Sequence, residues 1–510
     1  MARYSGRHLT MADISIIGAG LGGLALSMRL ASRGHQVTVY EKQQYPGGRC
    51  GVAEGGGYRF DTGPTLLLMP DVLDELFEAS GLSLDSYLTV NTLDPNYRIH
   101  YRDGSDIVWR PDKEWMAGEL ERIHPGAGDG FRRFIREAEV HYRTARSHFV
   151  ERDFDSYLEF LAPGQVAALF RTHAHRNLWR YTRSMLPDDR FCQSVTFQSM
   201  YLGTSPFESP AIYTLLPWTE MCEGIGYPEG GLHAVPRAME RAASDLGVTF
   251  HYGVEVTDVD RDGRRVRGIQ LDTGDRVETP WLVANEDLPH FLRERLGEDM
   301  PPRPWPWRYS AGTFLYFFGL DTQYDCLEHH NVILPGFERI FEDIATRQVV
   351  PEQPAFYISD TSGTDPTAAP EGGSAIYVLV PTPHLDARVD WDAERARVRE
   401  LVLDKMETLG CDSVRRHIVW EGGADPRDFE RDLNLEKGSA FGLAHQFTQV
   451  SHLRPHNYHR GIDNLFFVGA SVRPGTGIPM VVFSSRLTLR RITNALEGKG
   501  QRAGWAATRV

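Results

Sequence analysis

The residues best placed to do chemistry early in the chain are three glycines and a carboxylate. Gly18, Gly20 and Gly23 lie in Gly18-Ala19-Gly20-Leu21-Gly22-Gly23, directly after the apolar run Ile14-Ser15-Ile16-Ile17, and Glu41 closes the run Val37-Thr38-Val39-Tyr40-Glu41. In this order they build a dinucleotide site. Gly18 permits a tight turn, Gly20 brings the backbone up to a pyrophosphate, and Gly23 lets a helix pack closely on a strand. The helix start then offers free N–H groups to phosphate. Glu41 follows Gly18 by 23 positions, which suits a carboxylate that hydrogen-bonds a ribose hydroxyl. Tyr45-Pro46-Gly47-Gly48-Arg49 adds two glycines where main chain can pass close to a ligand and a guanidinium that can fork onto phosphate. By themselves these residues admit either NAD or FAD.

The elements that must position them are a strand, a helix and a strand over about 13–41. From about 66 to 221 the apolar spacing becomes mostly helical, with amphipathic stretches at Asp71 to Ser80 and Gly130 to Val150. Strand-like runs return at Val248 to Val256, Val266 to Leu271, Trp281 to Ala284, Gly312 to Leu320 and Ala375 to Val380, separated by Asp-Gly and Thr-Gly turns. Near the end, Asn464 to Gly469 reads as a buried strand entering a glycine turn, and a helix is expected from about Pro479 to Glu497. Gly469, Gly475 and Gly477 would let backbone approach a flat ligand, with the positive end of that helix facing it. Nucleotide-binding pieces at the start, middle and end imply a discontinuous domain: 12–95, 225–290 and 455–500. The intervening 96–224 and 291–454 would form a substrate domain.

The chain has 510 residues, enough for two or three domains, and its 41% apolar and 24% charged composition is that of a globular protein. A net charge of −14 argues against nucleic acid as a partner. Five scattered cysteines without a CxxC pair point to neither disulfides nor zinc, and fit small buried hydrophobes in a reducing cytosol. Met1 to Thr10 lacks the apolar run of a secretory signal and reads as an extension ahead of Met11. No stretch approaches the roughly 20 apolar residues of a spanning helix. No nucleophile constellation or metal cluster stands out, and His329-His330 reads as surface.

Further blocks then carry a resemblance. They include Phe60-Asp61-Thr62-Gly63-Pro64-Thr65, Gly203-Thr204-Ser205-Pro206-Phe207, Ile212-Tyr213-Thr214-Leu215, Tyr227-Pro228-Glu229-Gly230-Gly231 and Thr364 to Gly372. Gly438-Ser439-Ala440-Phe441, Arg454-Pro455-His456-Asn457 and Pro474-Gly475-Thr476-Gly477-Ile478-Pro479 follow in order. From about Ile14 to Leu487 the chain resembles the phytoene desaturase family of carotenoid-forming flavoenzymes, related in fold to the monoamine oxidases. The resemblance implies an α/β fold, with a Rossmann-type FAD-binding domain, an inserted α+β substrate domain and a helical membrane-facing region. It implies FAD, which the Gly47-Gly48-Arg49 segment accompanies in such flavoproteins. Gly63, Pro64 and Thr65 would join the cofactor site, Val256 would hold the adenine through its backbone, and Gly477, Ile478 and Met480 would border the isoalloxazine.

The implied activity is desaturation of a long polyisoprenoid such as phytoene or dehydrosqualene, with hydride passing to flavin N5 and a proton leaving the neighbouring carbon. Glu220 resembles a family glutamate and is the candidate base, since a carboxylate in a desolvated pocket has a raised pKa. An apolar tunnel would be lined from Phe170, Leu178, Trp179, Tyr201, Phe207, Tyr213, Leu216, Trp218, Phe314, Tyr316 and Phe318. At about 0.8 kcal/mol per buried CH2, such a substrate costs tens of kcal/mol to expose to water, so it must pass straight from bilayer to tunnel. Gln165 to Arg183, with Arg171, Arg176, Arg180 and Arg183 among aromatic and apolar residues at helical spacing, reads either as the interfacial helix of a peripheral, cytoplasmic protein or as a solvated helix face over the core. Leu443 to Gln446 and Pro479 to Phe483 depart from the family pattern, which leaves open a carotenoid oxidase, a hydroxycarotenoid desaturase or an isomerase. Outside the class stand a soluble flavin amine oxidase and a flavin-binding protein without catalysis.

Overall fold

The computed structural model describes residues 11–154 and 156–499; Met1 to Thr10 lie outside them. In chain order, β1 (Asp13–Ile17), α1 (Leu21–Ala31) and β2 (Gln36–Glu41) precede β3 (Tyr97–Tyr101), β4 (Asp106–Trp109) and the helices α2 (Ala127–Ala145), α3 (Pro163–Arg171), α4 (Leu178–Arg183) and α5 (Leu215–Cys222). There follow β5 (Thr249–Tyr252), β6 (Trp281–Ala284), β7 (Gly312–Leu320), β8 (His330–Leu334), β9 (Phe356–Asp360), β10 (Ser374–Thr382), β11 (Ile418–Ala424), β12 (Leu465–Phe467) and α6 (Ile478–Leu496).

Five strands make a parallel sheet in the order β12-β6-β1-β2-β5, so pieces from 13–41, 249–284 and 465–467 meet in one layer. Parallel strands buried on both faces read as near-continuous apolar runs, as Ile14, Ile16 and Ile17 of β1 do, with the buried Ser15 among them satisfied by Thr279 Oγ1 at 3.1 Å. Helix α1 is buried over nearly its whole length because α6 and the helix Ala234–Asp245 pack on it as well as the sheet. The one long cation in it, Arg29, is fully enclosed and donates from Nε to Ser485 Oγ on α6 at 3.0 Å.

A second sheet, seven-stranded and mixed, runs β11-β7-β10-β9-β8-β3-β4. Strand β7, paired on both sides by β11 and β10, is buried at every position. Phe314, Tyr316 and Phe318 pack on one face with Val398, Val402 and Met406, whereas Leu315 and Phe317 pack on the other with Tyr58 and Phe60.

Two sequence expectations change here. The stretch 165–183 is two short helices. Thr172 turns its hydroxyl back onto Ala168 O at 2.9 Å, His173 takes a φ of +48°, and Asn177 starts α4 by accepting the Arg180 N–H at 3.0 Å. The cysteines also divide: Cys50, Cys192 and Cys411 are buried, while Cys222 is exposed. Among the described residues, no helix is long and apolar enough to cross a membrane.

Candidate active site

One cavity of about 1110 Å³ runs from the carboxyl ends of the parallel strands into the helical region. Gly18, Gly20, Glu41, Gly48, Arg49, Gly63, Pro64, Thr65, Val256, Gly469, Gly477, Ile478 and Met480 all line it. This is the crevice where open α/β sheets take nucleotides. Gly23 lies beneath the lining: a Cβ there would come within 2.3 Å of Gly18 O, so its role is helix-to-turn packing.

The shape of the crevice follows from backbone approach. Gly47 donates to Ala19 O at 2.9 Å, which lays the Gly47-Gly48 turn against the first glycine turn. Glu41 is buried, and its carboxylate accepts the Ala19 N–H at 2.7 Å and the Gln43 N–H at 2.9 Å. Burial raises its pKa, and those two N–H groups oppose the rise. Arg49 faces the buried Asp287 across 3.6 Å, a loose contact, and its Nη1 is enclosed without a hydrogen-bond partner.

Both helices that end at the cavity begin on glycine without a side-chain cap. Gly20 precedes α1, and Gly477, at φ +108°, precedes α6, with no acidic residue in either first turn. Uncapped N-termini carry positive partial charge and free N–H groups. Together with the orphaned Arg49 donor, they fit an elongated group with a pyrophosphate along its length and a ring that accepts negative charge at one end, as FAD has.

Other residues hold this cradle that sequence reasoning did not single out. Asn285, just past β6, accepts the Gly23 N–H at 3.0 Å and donates to Val468 O at 2.9 Å, tying both glycine turns together. Its place at the carboxyl end of a parallel strand was a usable signal. His445, within the departing Leu443 to Gln446 stretch, accepts the Thr476 N–H at Nε2 (3.1 Å) and directs Nδ1 at Leu202 O (3.3 Å). Burial and the nearby Arg454 hold its pKa well below the usual range, so it is neutral and its tautomer is set by these partners. Three sequence blocks also converge: Asp61 accepts the Leu232 and His233 N–H groups at 2.9 Å, and Asp365 pairs with Arg59 and accepts the Gly230 N–H at 3.1 Å.

The remainder of the cavity is largely apolar, and its lining differs from the expected set. Tyr201, Tyr213 and Leu216 line it, but Phe314, Tyr316 and Phe318 point to the far face of β7. Leu178, Trp179, Phe207 and Trp218 are packed elsewhere, and Phe170 is 62% exposed. The opposite faces of β7 and β10 serve instead, through Thr313, Leu315, Tyr377 and Leu379. A strand buried on both faces gives no alternation by which sequence could choose the inner one.

Glu220 is fully buried but does not line the cavity; its neighbour Thr219 does. Its Oε2 accepts from Gln198 Nε2 at 2.8 Å and Tyr97 OH at 3.0 Å, and Oε1 is enclosed without a partner. Burial pushes its pKa up to about 7, against the pull of those two donors. His330, expected at the surface, is buried with Nδ1 2.5 Å from the hydroxyl of Tyr357, which lines the cavity. Removing the His330 ring from solvent was decided by the pairing of β8 between β3 and β9.

The family model described as "Flavin containing amine oxidoreductase" matches residues 21–493. A zeta-carotene-forming phytoene desaturase of Myxococcus xanthus is 41% identical over 96% of this chain and 95% of its own. A phytoene desaturase of Phycomyces blakesleeanus is 35% identical over 93% and 84%, and a 4,4'-diapophytoene desaturase of a Methylomonas species is 34% identical over 94% and 95%. Among solved structures, an oxidoreductase from Methanosarcina mazei superposes with a TM-score of 0.61 at 17% identity, over 94% of this chain and 100% of that one. A redesigned putrescine oxidase does so with 0.58 at 14%, over 96% and 100%. These two likenesses are of fold.

Proposed function

The chain belongs to the flavin containing amine oxidoreductases, alongside the phytoene desaturases, and we propose that it desaturates a long polyisoprenoid of the phytoene type at an FAD held along the cavity. The observation that carries this reading is continuity. The same cavity is a glycine-built, donor-rich crevice at Gly18, Arg49 and Gly477 and an apolar channel at Phe160, Leu169 and Phe447. When bound, FAD supplies the two-electron acceptor that oxidation of an unactivated C–H bond requires.

The residues divide the remaining work. Gly48, Arg49 and the start of α1 hold phosphate, and Glu41 and Val256 hold the nucleoside end. The start of α6 stabilises negative charge placed before it. Tyr201, Tyr213 and Leu216 orient an apolar chain and exclude water. Glu220 acts from behind the wall: it positions Tyr97 and Gln198, and its charge is felt by Tyr201, whose hydroxyl is held in its protonated form by burial and that neighbouring carboxylate. A base that touches substrate directly is therefore not its role.

Substrate entry is read from the channel mouth. Phe447 lines the cavity and is 50% exposed, and Leu161, Phe170 and Arg171 are exposed beside the lining residues Phe160 and Leu169. Apolar side chains ringed by Arg171, Arg176, Arg180 and Arg183 suit an anionic bilayer surface. The deciding experiment is expression in hosts that make phytoene or dehydrosqualene, read by pigment spectra. A new conjugated chromophore with either supports the assignment; none with both, from protein shown to carry FAD, overturns it.

A further inference from the structure

Spacing along the chain singled out no metal cluster, yet folding brings three metal-ligating groups together beside the channel wall. Glu137 and His141 stand one turn apart on α2, and so share a face. His173 joins them from the turn after α3. A carboxylate oxygen of Glu137 and one nitrogen from each imidazole all lie within 4.8 Å of one another.

The arrangement has the second requirement of a metal site, a fixed and unspent donor. His141 is fully buried, and its Nδ1 is 2.7 Å from Thr214 Oγ1, while its Nε2 is enclosed without any hydrogen-bond partner. Ligating histidines are oriented in this way, with the second nitrogen anchored and the first free. Glu137 is oriented in turn by Tyr181 OH at 3.2 Å. The Tyr181 ring packs at a tilt against both imidazoles, with centroids 5.5 Å from His141 and 5.0 Å from His173.

We propose that Glu137, His141 and His173 bind one divalent transition metal ion, Zn2+ by preference, and thereby pin the channel wall to α2. Two imidazoles and a carboxylate are a borderline-soft donor set that suits Zn2+, with a fourth position left for water. Arg176, 4.8 Å from the Tyr181 ring centroid, and Arg133, whose charge also reaches Tyr181, are positive charges a bound cation must tolerate, and Glu137 opposes them. Bonds of roughly 2.0–2.2 Å need a small inward rotation of Glu137 and His173, which are both only partly buried. The consequence lies in the channel: Leu169 and Ala174 flank this turn and line the cavity. A bound ion would fix that wall without touching the cofactor cradle.

The test uses untagged, FAD-loaded enzyme stripped by a chelator and titrated with Zn2+, with bound metal counted per chain and melting followed in parallel. His173→Asn keeps a residue that tolerates positive φ, Glu137→Gln removes the carboxylate, and flavin content checks that both fold. One Zn2+ per chain, a raised melting temperature, and affinity at least about tenfold weaker in both variants at unchanged flavin content support the site. Zn2+ failing to bind the parent overturns it. Zn2+ binding the parent and both variants equally does so too.

Discussion

A Cβ built on Gly63 would lie 1.7 Å from the carbonyl oxygen of Arg49. The two segments that carry these residues, 47–50 and 60–65, therefore touch backbone to backbone on the cavity wall. The obstacle is main chain and not a flexible side chain, so even one methyl group must displace a cofactor-binding turn. Gly63→Ala is expected to purify with most of its FAD missing and to be destabilised by about 1–3 kcal/mol through overpacking. The ratio of flavin to protein absorbance and a denaturant titration measure both.

Arg49 behaves differently, because its Nη1 has no protein partner and its contact with Asp287 is long. Arg49→Gln should leave the apoprotein close to its original stability. Its FAD affinity should fall by about 1.5–3 kcal/mol, the worth of a charge-assisted hydrogen bond. Flavin-fluorescence titration of apoprotein, beside its melting curve, separates the two effects.

Glu220 sets a pH dependence. Its folded pKa of about 7 stands above the unfolded value, so the folded state binds the extra proton between about 4.5 and 7. Stability from this group is fully present below that window and is lost as pH rises through it. Glu220→Gln keeps an acceptor for Tyr97 and Gln198 but cannot ionise. The variant should gain stability relative to the parent as pH is raised from about 5 to 8, and parallel melting curves over that range would disprove the assignment.

His445 holds the turn before α6 through the Thr476 N–H. His445→Ala strands that buried donor, at about 1–3 kcal/mol. Because the turn borders Gly477, the loss should appear as weaker flavin retention and a shifted flavin spectrum. Unchanged flavin properties would confine His445 to a packing role.

Docking is tested on exposed residues, whose replacement leaves the core intact. Leu161→Ser/Phe170→Ser should weaken binding to anionic liposomes at every ionic strength. Arg180→Glu should weaken it mainly at low salt, by about 1 kcal/mol or more per charge reversed. Cosedimentation across a salt series distinguishes the apolar from the electrostatic share.

The cofactor half of the site was legible because its code is local. Gly18, Gly20, Glu41 and Arg49 sit within one stretch whose order alone states strand, turn, helix, strand and phosphate loop, and the resemblance extended it to Gly63, Val256 and Gly477. The channel was not legible in this way. Phe314 and Leu315 are adjacent, equally apolar and equally buried, yet only Leu315 faces the cavity. Asn285, His445 and the Glu137, His141 and His173 group gained their partners from residues distant in sequence.

The sequence by itself determined the strand, glycine turn, helix and strand of a dinucleotide-type unit and that the chain resembles a desaturase, because close backbone approach demands particular residues at fixed spacing. Only the tertiary structure decided which face of β7 meets the substrate channel, that Glu220 stands behind the wall, and that two imidazoles and a carboxylate converge on α2. Burial on both faces of a strand erases periodicity, and the orientation of a buried polar group depends on partners that chain order does not name.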